Sequence, residues 1–306
     1  KSYTTIGGKG GRTTLVDLGK WKNPVFVIMI LFLVCFVAFP VVIMAYETFM
    51  LRPGDFSLSN FTFQHWIGES NINVNSGEPG IFRNTNFILF LRNTLVLTFL
   101  TAIIGTIWGQ IIGYLNARGR SLKSGRLVEQ LVFIPYLIPS IAFGAMYLSM
   151  FAKAKAIVLF GIKLTIIPSL YGTFALLVLI SVVKHLPFAS RAGTSNMMQI
   201  SYELEEAAQI AGARFSTRFA RIVLPLSKNG FWSGFMLIFI SIIKELDLLA
   251  LLMTPDQQTL PFMAFAYSSE TLGQLSNAVA LVMFFIVFLV YYLANKFTKA
   301  DISKGF

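Results

Sequence analysis

The sequence predicts an all-helical integral membrane protein whose chain crosses the bilayer six times. Its mean hydropathy is +0.69, and 55% of its 306 residues are hydrophobic while only 13% are charged. Soluble domains carry roughly 25% charged residues. This composition excludes a soluble globular protein and a disordered chain. A disulfide scaffold is excluded as well, because Cys35 is the only cysteine and has no partner inside the chain.

Six apolar stretches are long enough to cross a bilayer as helices, which takes about 20 residues each. They lie at residues 24–46, 95–115, 131–151, 164–183, 229–253 and 277–294. The third, fourth and fifth contain proline or charge and give weaker signals. Transmembrane strands are excluded, because these runs lack the alternating polar residues that a barrel needs.

The distribution of basic residues predicts the orientation of the spans. Of the 25 Lys and Arg residues, 18 lie in the termini and loops on one side, six on the other, and Lys244 within a span. Both termini are therefore expected in the cytoplasm. The formal charge of +11 is assigned to orientation and anionic lipid, not to nucleic acid. The predicted organisation is a cytoplasmic lead-in (1–23) and a six-span transmembrane domain (24–306), with an external loop at 47–93 and a cytoplasmic loop at 184–228.

Two patterns inside the spans suggest special packing. Gly105, Gly109 and Gly113 recur every four residues, which lets two helix backbones approach closely. Ordinary static packing is favoured over a helix that slides. Pro135 and Pro139 interrupt the start of the third span, and such broken helices often line transport cavities. Tyr136 and Ser140 accompany these prolines as candidate pathway residues.

The cytoplasmic loop carries a pattern of two short helices. Its first helix is predicted to start at Glu203 and is acidic at the N-terminal end, where the helix dipole favours negative charge. Gly212 is expected to end it. An amphipathic stretch with a basic face follows through Phe215 to Val223, and Pro225 is expected to end that stretch. Two helices joined at a glycine would form a rigid protrusion suited to docking into a partner.

This segment resembles the EAA loop of ABC importer permeases. The residues that carry the resemblance are Glu206, Ala207, Ala208, Gly212, Ala213, Ile222, Leu224 and Pro225. One departure is Ala211, where many members have Asp. The resemblance implies a type I (MetI-like) six-helix permease, a non-catalytic subunit in which this loop inserts into a cytoplasmic ATPase. It also implies ATP and Mg in a partner ATPase dimer, a second permease half, an extracytoplasmic substrate-binding protein, and the bacterial inner membrane.

Other short segments of the sequence resemble the branch of these permeases that includes ferric-iron permeases. They are the segments 170–173, 186–188, 244–246 and 259–261, with Arg191 and Tyr267. The lead-in at 7–10 and 17–21 resembles the stretch before the second half of fused permeases. The resemblance implies the C-terminal half of such a protein, as a separate subunit or as part of a longer chain. Ferric iron is the first expected solute; phosphonate, sugar phosphate, polyamine and thiamine stay open.

Three charges fall in the predicted fifth span, where each costs at least about 2.5 to 3.5 kcal/mol near the bilayer centre. Lys244 and Asp247 are three residues apart and could pair within a helix, so Glu245 would need another partner. A role in the pathway or gate and a structural ion pair near the outer interface are equally supported. If Glu245 and Asp247 carried ions, the chain would instead be an ion-coupled secondary transporter.

The two histidines give no sign of a metal site. His65 lies in the external loop and His185 at the cytoplasmic end of the fourth span, and a metal site needs several ligands at defined spacing. Both are expected to be solvated or interfacial. Phe61, Phe63 and Trp66 are predicted to form a small apolar cluster with a short helix at the membrane interface.

Overall fold

The computed structural model describes residues 17–119, 123–159 and 162–298. Over this part the chain is mainly helical. The helices are α1 (Gly19–Glu47), α2 (Gln64–Ile67), α3 (Phe87–Arg118), α4 (Lys123–Leu137), α5 (Ser140–Phe151), α6 (Phe174–Gln199), α7 (Glu203–Ile210), α8 (Phe215–Leu226), α9 (Lys228–Ile242), α10 (Leu260–Ser269) and α11 (Gly273–Thr298). Two antiparallel strands, β1 (Lys155–Leu159) and β2 (Ile162–Ile167), form a hairpin between α5 and α6. The glycine-rich segment 7–11 and the C-terminal lysines Lys299 and Lys304 lie outside the described residues.

Four helices are each long and apolar enough to span a membrane: α1, α3, α6 and α11. Two bent pairs would each supply one more span, α4 with α5 at 101° and α8 with α9 at 67°. The described residues therefore hold four spans, or six if each bent pair crosses once. The helical class is confirmed, and the sharpest break falls where the two prolines predicted an interruption.

The predicted bounds of the fourth span are wrong at both ends. Residues 162–167 form β2, and α6 begins only at Phe174, where the Thr173 hydroxyl accepts a hydrogen bond from the Leu176 amide at 3.4 Å. The helix then continues 16 residues past Val183. The apolar run at 162–167 is rich in β-branched residues, which favour a strand, and Lys184 with His185 lies within the helix rather than after it.

The fifth span also differs from its prediction. The α9 helix ends at Ile242, and residues 243–252 are not helical, with turns at 243–244 and 247–252. Lys244, Glu245 and Asp247 therefore do not occupy helical positions. The predicted pairing of Lys244 with Asp247 is wrong, because it required helical spacing and the described residues contain no ion pair between them.

The described chain divides into two units, one of residues 91–259 with 285–298 and the other of residues 17–90 with 260–284. The first unit contains a hydrophobic core built largely by α6 and α9. Leu177, Ile180 and Phe239 are fully buried there. Inside a bilayer such side chains are held by van der Waals packing, because lipid tails are as apolar as the side chains themselves.

The glycine pattern on α3 brings its backbone against α6. A Cβ added at Gly109 would lie 2.4 Å from the Ala189 Cβ, and one added at Gly113 would lie 2.5 Å from the Gly193 carbonyl carbon. Real carbon atoms do not approach this closely, so only glycine fits at these positions. The predicted close packing of two helices is confirmed.

The second unit contains most of the predicted external loop, which is held together by aromatic rings. Phe49 stacks on Phe61 and on Trp66 at centroid distances of 5.3 and 5.7 Å, and α2 supplies Trp66 as predicted. The prediction that His65 is solvated is wrong. His65 is 1% exposed, donates from Nε2 to the Met50 carbonyl at 2.8 Å, and pairs through Nδ1 with the Asn75 side chain at 2.7 Å.

Candidate coupling elbow and buried charge cluster

The first candidate site is a helical elbow made of α7 and α8, residues 203–226. The α7 helix ends at Ala211–Gly212, where Gly212 has φ +83°. This left-handed conformation is readily adopted only by glycine. The Gly212 amide donates to the Gln209 carbonyl and the Ala213 amide to the Ala208 carbonyl, both at 2.9 Å. These bonds satisfy carbonyls that a helix end leaves open and fix the angle of the elbow.

The elbow is bonded to the end of α3 through one buried carboxylate. Glu205 is 2% exposed; its Oε2 accepts from the Tyr114 hydroxyl and its Oε1 from Arg118 Nε, each at 2.8 Å. Arg118 also donates to the Ile200 carbonyl at 3.3 Å. Sequence reasoning missed the role of Glu205, because its partners lie 87 and 91 residues upstream. Their residue types alone give no signal for the pairing.

The outer surface of the elbow is exposed and partly apolar. Ile210 is 89% exposed and Phe215 55% exposed. The Phe215 ring also packs against Tyr114 and Phe219 at centroid distances of 5.9 and 5.8 Å, so Ile210 is the more freely exposed of the two. Of the residues predicted to couple to an ATPase, Glu206, Ala207, Gly212, Leu224 and Pro225 are exposed, whereas Ala208, Ala213 and Ile222 are partly buried.

The second candidate site is a cluster of ionisable side chains buried in the first unit. Lys184 and His185, consecutive residues near the middle of α6, are 6% and 5% exposed. The predicted solvated position of His185 is therefore wrong. Its Nδ1 donates to the Ser181 carbonyl at 3.0 Å, and its Nε2 lies 3.7 Å from Glu245 Oε2. Buried ionisable groups within spans mark functional sites more often than not.

Glu245 is the one predicted pathway charge that this cluster includes. Its Oε1 accepts a hydrogen bond from the Leu248 amide at 3.1 Å, which caps the turns that follow α9. The other two predicted charges, Lys244 and Asp247, are exposed. The structure thus gives Glu245 a partner on α6 that sequence spacing did not reveal.

The break between α4 and α5 reaches the same part of α6. Lys184 Nζ donates to the Pro135 carbonyl at 2.9 Å and also to the Ile138 carbonyl. Tyr136 packs edge-on against Phe188 of α6 at a centroid distance of 5.5 Å. Pro139 precedes α5, and Ser140 is its first residue. The predicted break residues and the buried charges therefore belong to one site.

A polar cavity of about 630 Å³ lies between α3, α4 and α6. The Arg191 guanidinium on its wall sits 4.4 Å over the Phe133 ring, and Asn116 Oδ1 has no hydrogen-bond partner among the described residues. The polar lining includes Asn116, Glu129, Gln130, Ser190, Arg191, Thr194 and Ser195. No group of three or more His, Cys, Asp or Glu side chains in the described part of the chain could hold a metal ion.

The apolar spans and the two bent helix pairs define a multi-pass integral membrane protein. Residues 105–300 match the family described as binding-protein-dependent transport system inner membrane component, and the chain belongs to this family of ABC importer permeases.

Among curated relatives, the chain is 28% identical over 144 residues to the molybdate/tungstate transport system permease protein WtpB of Pyrococcus abyssi. That alignment covers 47% of this chain and 52% of the relative. The chain is also 22% identical over 259 residues to the ferric transport system permease protein FbpB of Actinobacillus pleuropneumoniae, with 84% of this chain and 34% of the relative covered. It therefore spans about half of the first relative and about a third of the second.

Solved structures establish the fold. A chain of a bacterial alginate ABC transporter, crystallised with an alginate pentasaccharide-bound periplasmic protein, aligns with a TM-score of 0.64 at 14% identity. The alignment covers 90% of this chain and 96% of the alginate transporter chain. A chain of the inward-facing MetNI methionine ABC transporter aligns with a TM-score of 0.55 at 19% identity. This alignment covers 70% of the present chain and 94% of the MetNI chain. The predicted type I, MetI-like permease fold is confirmed.

Proposed function

We propose that this permease forms half of the translocation pathway of an ATP-driven importer and that the elbow is its contact with a cytoplasmic ATPase dimer. The observation that carries the proposal is the elbow itself, which is exposed on its apolar outer face and bonded to α3 through Glu205 and Arg118. ATP and Mg would bind in the partner, so this chain would hydrolyse nothing itself. A second permease half and an extracytoplasmic binding protein would complete the assembly in the bacterial inner membrane.

In this proposal ATP acts by favouring one conformation of the assembly. Closure of the ATPase dimer would draw the two elbows together, and the spans would turn from inward-facing to outward-facing. The shift is limited by the difference in ATP affinity between the two conformations. A rigid elbow is required, because a flexible one would absorb the movement instead of passing it to α3.

The geometry of Gly212 provides the test. In proteoliposomes containing the complete transporter, Gly212→Val is expected to lower uptake about tenfold while ATP hydrolysis continues, because a left-handed conformation costs a non-glycine residue about 1 to 2 kcal/mol. The measurement is the ratio of solute imported to ATP hydrolysed.

The matched control is Gly212→Asn, since asparagine tolerates the left-handed region. It is expected to keep most of the uptake. Equal coupling in the valine and asparagine variants, or absence of an ATPase that co-purifies with the wild-type chain, would contradict the proposed coupling role.

We also propose that the solute is ferric iron and that the chain corresponds to the C-terminal half of a fused permease. Support comes from the ferric relative, which aligns over 84% of this chain but only 34% of its own length. Molybdate or tungstate is the second candidate, favoured by the relative with 28% identity and by the Arg191 side chain in the polar cavity, which suits an oxyanion.

Uptake in cells separates these two solutes. Deleting the gene for this chain is expected to abolish uptake of radiolabelled ferric citrate and to leave uptake of radiolabelled molybdate unchanged. Re-expression of the wild-type chain is the control and should restore iron uptake. Loss of molybdate uptake with unchanged iron uptake would instead identify the oxyanion as the solute.

A further inference from the structure

The break between α4 and α5 leaves particular main-chain carbonyls without donors. In a continuous helix the carbonyl of residue 135 accepts from the amide of residue 139. Residue 139 is proline and has no N–H to give. Ile138 lies between the two helices, so its carbonyl also has no helical donor. Inside a bilayer an unsatisfied carbonyl costs several kcal/mol, so these two groups need partners from elsewhere.

The Lys184 side chain meets both carbonyls. Its Nζ donates to Pro135 O at 2.9 Å and to Ile138 O, and it lies 5.5 Å from the centroid of the Phe143 ring. Two N–H groups are thus used by the break, and the aromatic face of α5 accommodates the remaining charge. Among the described residues, no carboxylate lies within ion-pairing distance of this ammonium.

We propose that Lys184 is a positioning residue, whose ammonium replaces the amide missing at Pro139 and holds α4 and α5 at their 101° bend. The neighbouring His185 contacts Glu245 of the turns that follow α9. Two consecutive residues of α6 therefore contact two different non-helical segments: Lys184 contacts the break between α4 and α5, and His185 contacts the turns after α9. This role goes beyond membership of the importer family and concerns the shape of the pathway wall.

A competing role for Lys184 is direct contact with the solute. A solute contact would change uptake without changing the bend, whereas a positioning residue must change the bend even when no solute or ATP is present. The distance between α4 and α5 is therefore the deciding measurement, and it is independent of whether the proposed transport function is correct.

The experiment uses the full chain in lipid nanodiscs. Cys35, the only cysteine, is replaced by serine, and nitroxide labels are attached after Leu131→Cys on α4 and Met146→Cys on α5. Both positions are more than half exposed. Pulsed electron paramagnetic resonance then gives the distance distribution across the break.

Lys184→Met is expected to at least double the width of this distribution, because the two carbonyls lose their donor. Lys184→Arg, which keeps the charge and several N–H groups, should restore a narrow distribution. Lys153→Met is the matched control, since Lys153 is exposed, and it should leave the distribution unchanged. A distribution in Lys184→Met identical to that of the parent would overturn the proposal.

A second variant covers the case in which Lys184→Met does not accumulate. Adding Pro139→Ala returns an amide at residue 139, so the double variant is expected to recover accumulation and to show one narrow distribution at a longer distance, as a continuous helix would. Failure of the double variant to recover would also overturn the proposal.

Discussion

Replacing Gly109 with leucine is expected to disrupt the packing of α3 on α6. Even a single added Cβ would lie 2.4 Å from the Ala189 Cβ and 2.7 Å from its carbonyl carbon. Both helices would have to separate, since backbone atoms cannot move aside as a flexible side chain can. Overpacking costs about 1 to 3 kcal/mol where a core can adjust, and more is expected here. The measurement is thermal unfolding of the detergent-solubilised protein.

The control for this substitution is Gly273→Leu at the start of α11. A Cβ at Gly273 would meet nothing within 4 Å, and its φ is not in the left-handed region. Its melting temperature should stay close to that of the wild type. If the Gly109→Leu variant had the same melting temperature as the Gly273→Leu control, α3 and α6 would not be held in backbone contact.

Removing the Glu205 carboxylate is expected to detach the elbow from α3. Glu205→Ala leaves the Arg118 guanidinium, whose side chain is 17% exposed, without its carboxylate, and leaves the Tyr114 hydroxyl without its acceptor. Breaking a buried ion pair in this way costs about 3 kcal/mol. Trypsin should then cut the chain faster at Arg214 or Arg218, and uptake should fall in parallel.

A double-mutant cycle tests whether this effect comes from the ion pair. If Glu205 and Arg118 act together, Arg118→Ala should add little further loss to Glu205→Ala, because the effects of residues in direct contact are not additive. Glu203→Ala on the exposed side of α7 is the control and should change neither cleavage nor uptake. Additive losses would mean that each residue stabilises the elbow through different contacts.

Features set by local pattern were predictable from the sequence. The α1, α3 and α11 helices follow from long uncharged apolar runs, and the elbow follows from an acidic helix start, Gly212 and Pro225. The four-residue spacing of the glycines in α3 also predicted a close contact between two helices. In each case the information lies within one turn, one helix face or one apolar run, which is the range over which spacing determines structure.

Features set by distant partners were not predictable. Lys184 was predicted in the cytoplasmic loop and His185 at the cytoplasmic end of the fourth span, whereas both lie inside α6, where a lysine is costly. That cost is offset by carbonyls from a break 46 to 49 residues earlier, which no spacing rule connects to it. Glu205 was similarly indistinguishable from Glu203 and Glu206. The hairpin at 155–167 did carry a signal, the density of β-branched residues, which hydropathy alone does not use.

The contact between α3 and α6 has a mechanical consequence. Gly109 and Gly113 place main chain against main chain, with no layer of side chains between them that could deform. We therefore expect the two helices to move together as one rigid body. Since Arg118 at the end of α3 is bonded to the elbow through Glu205, a displacement of the elbow would be transmitted along α3 and α6.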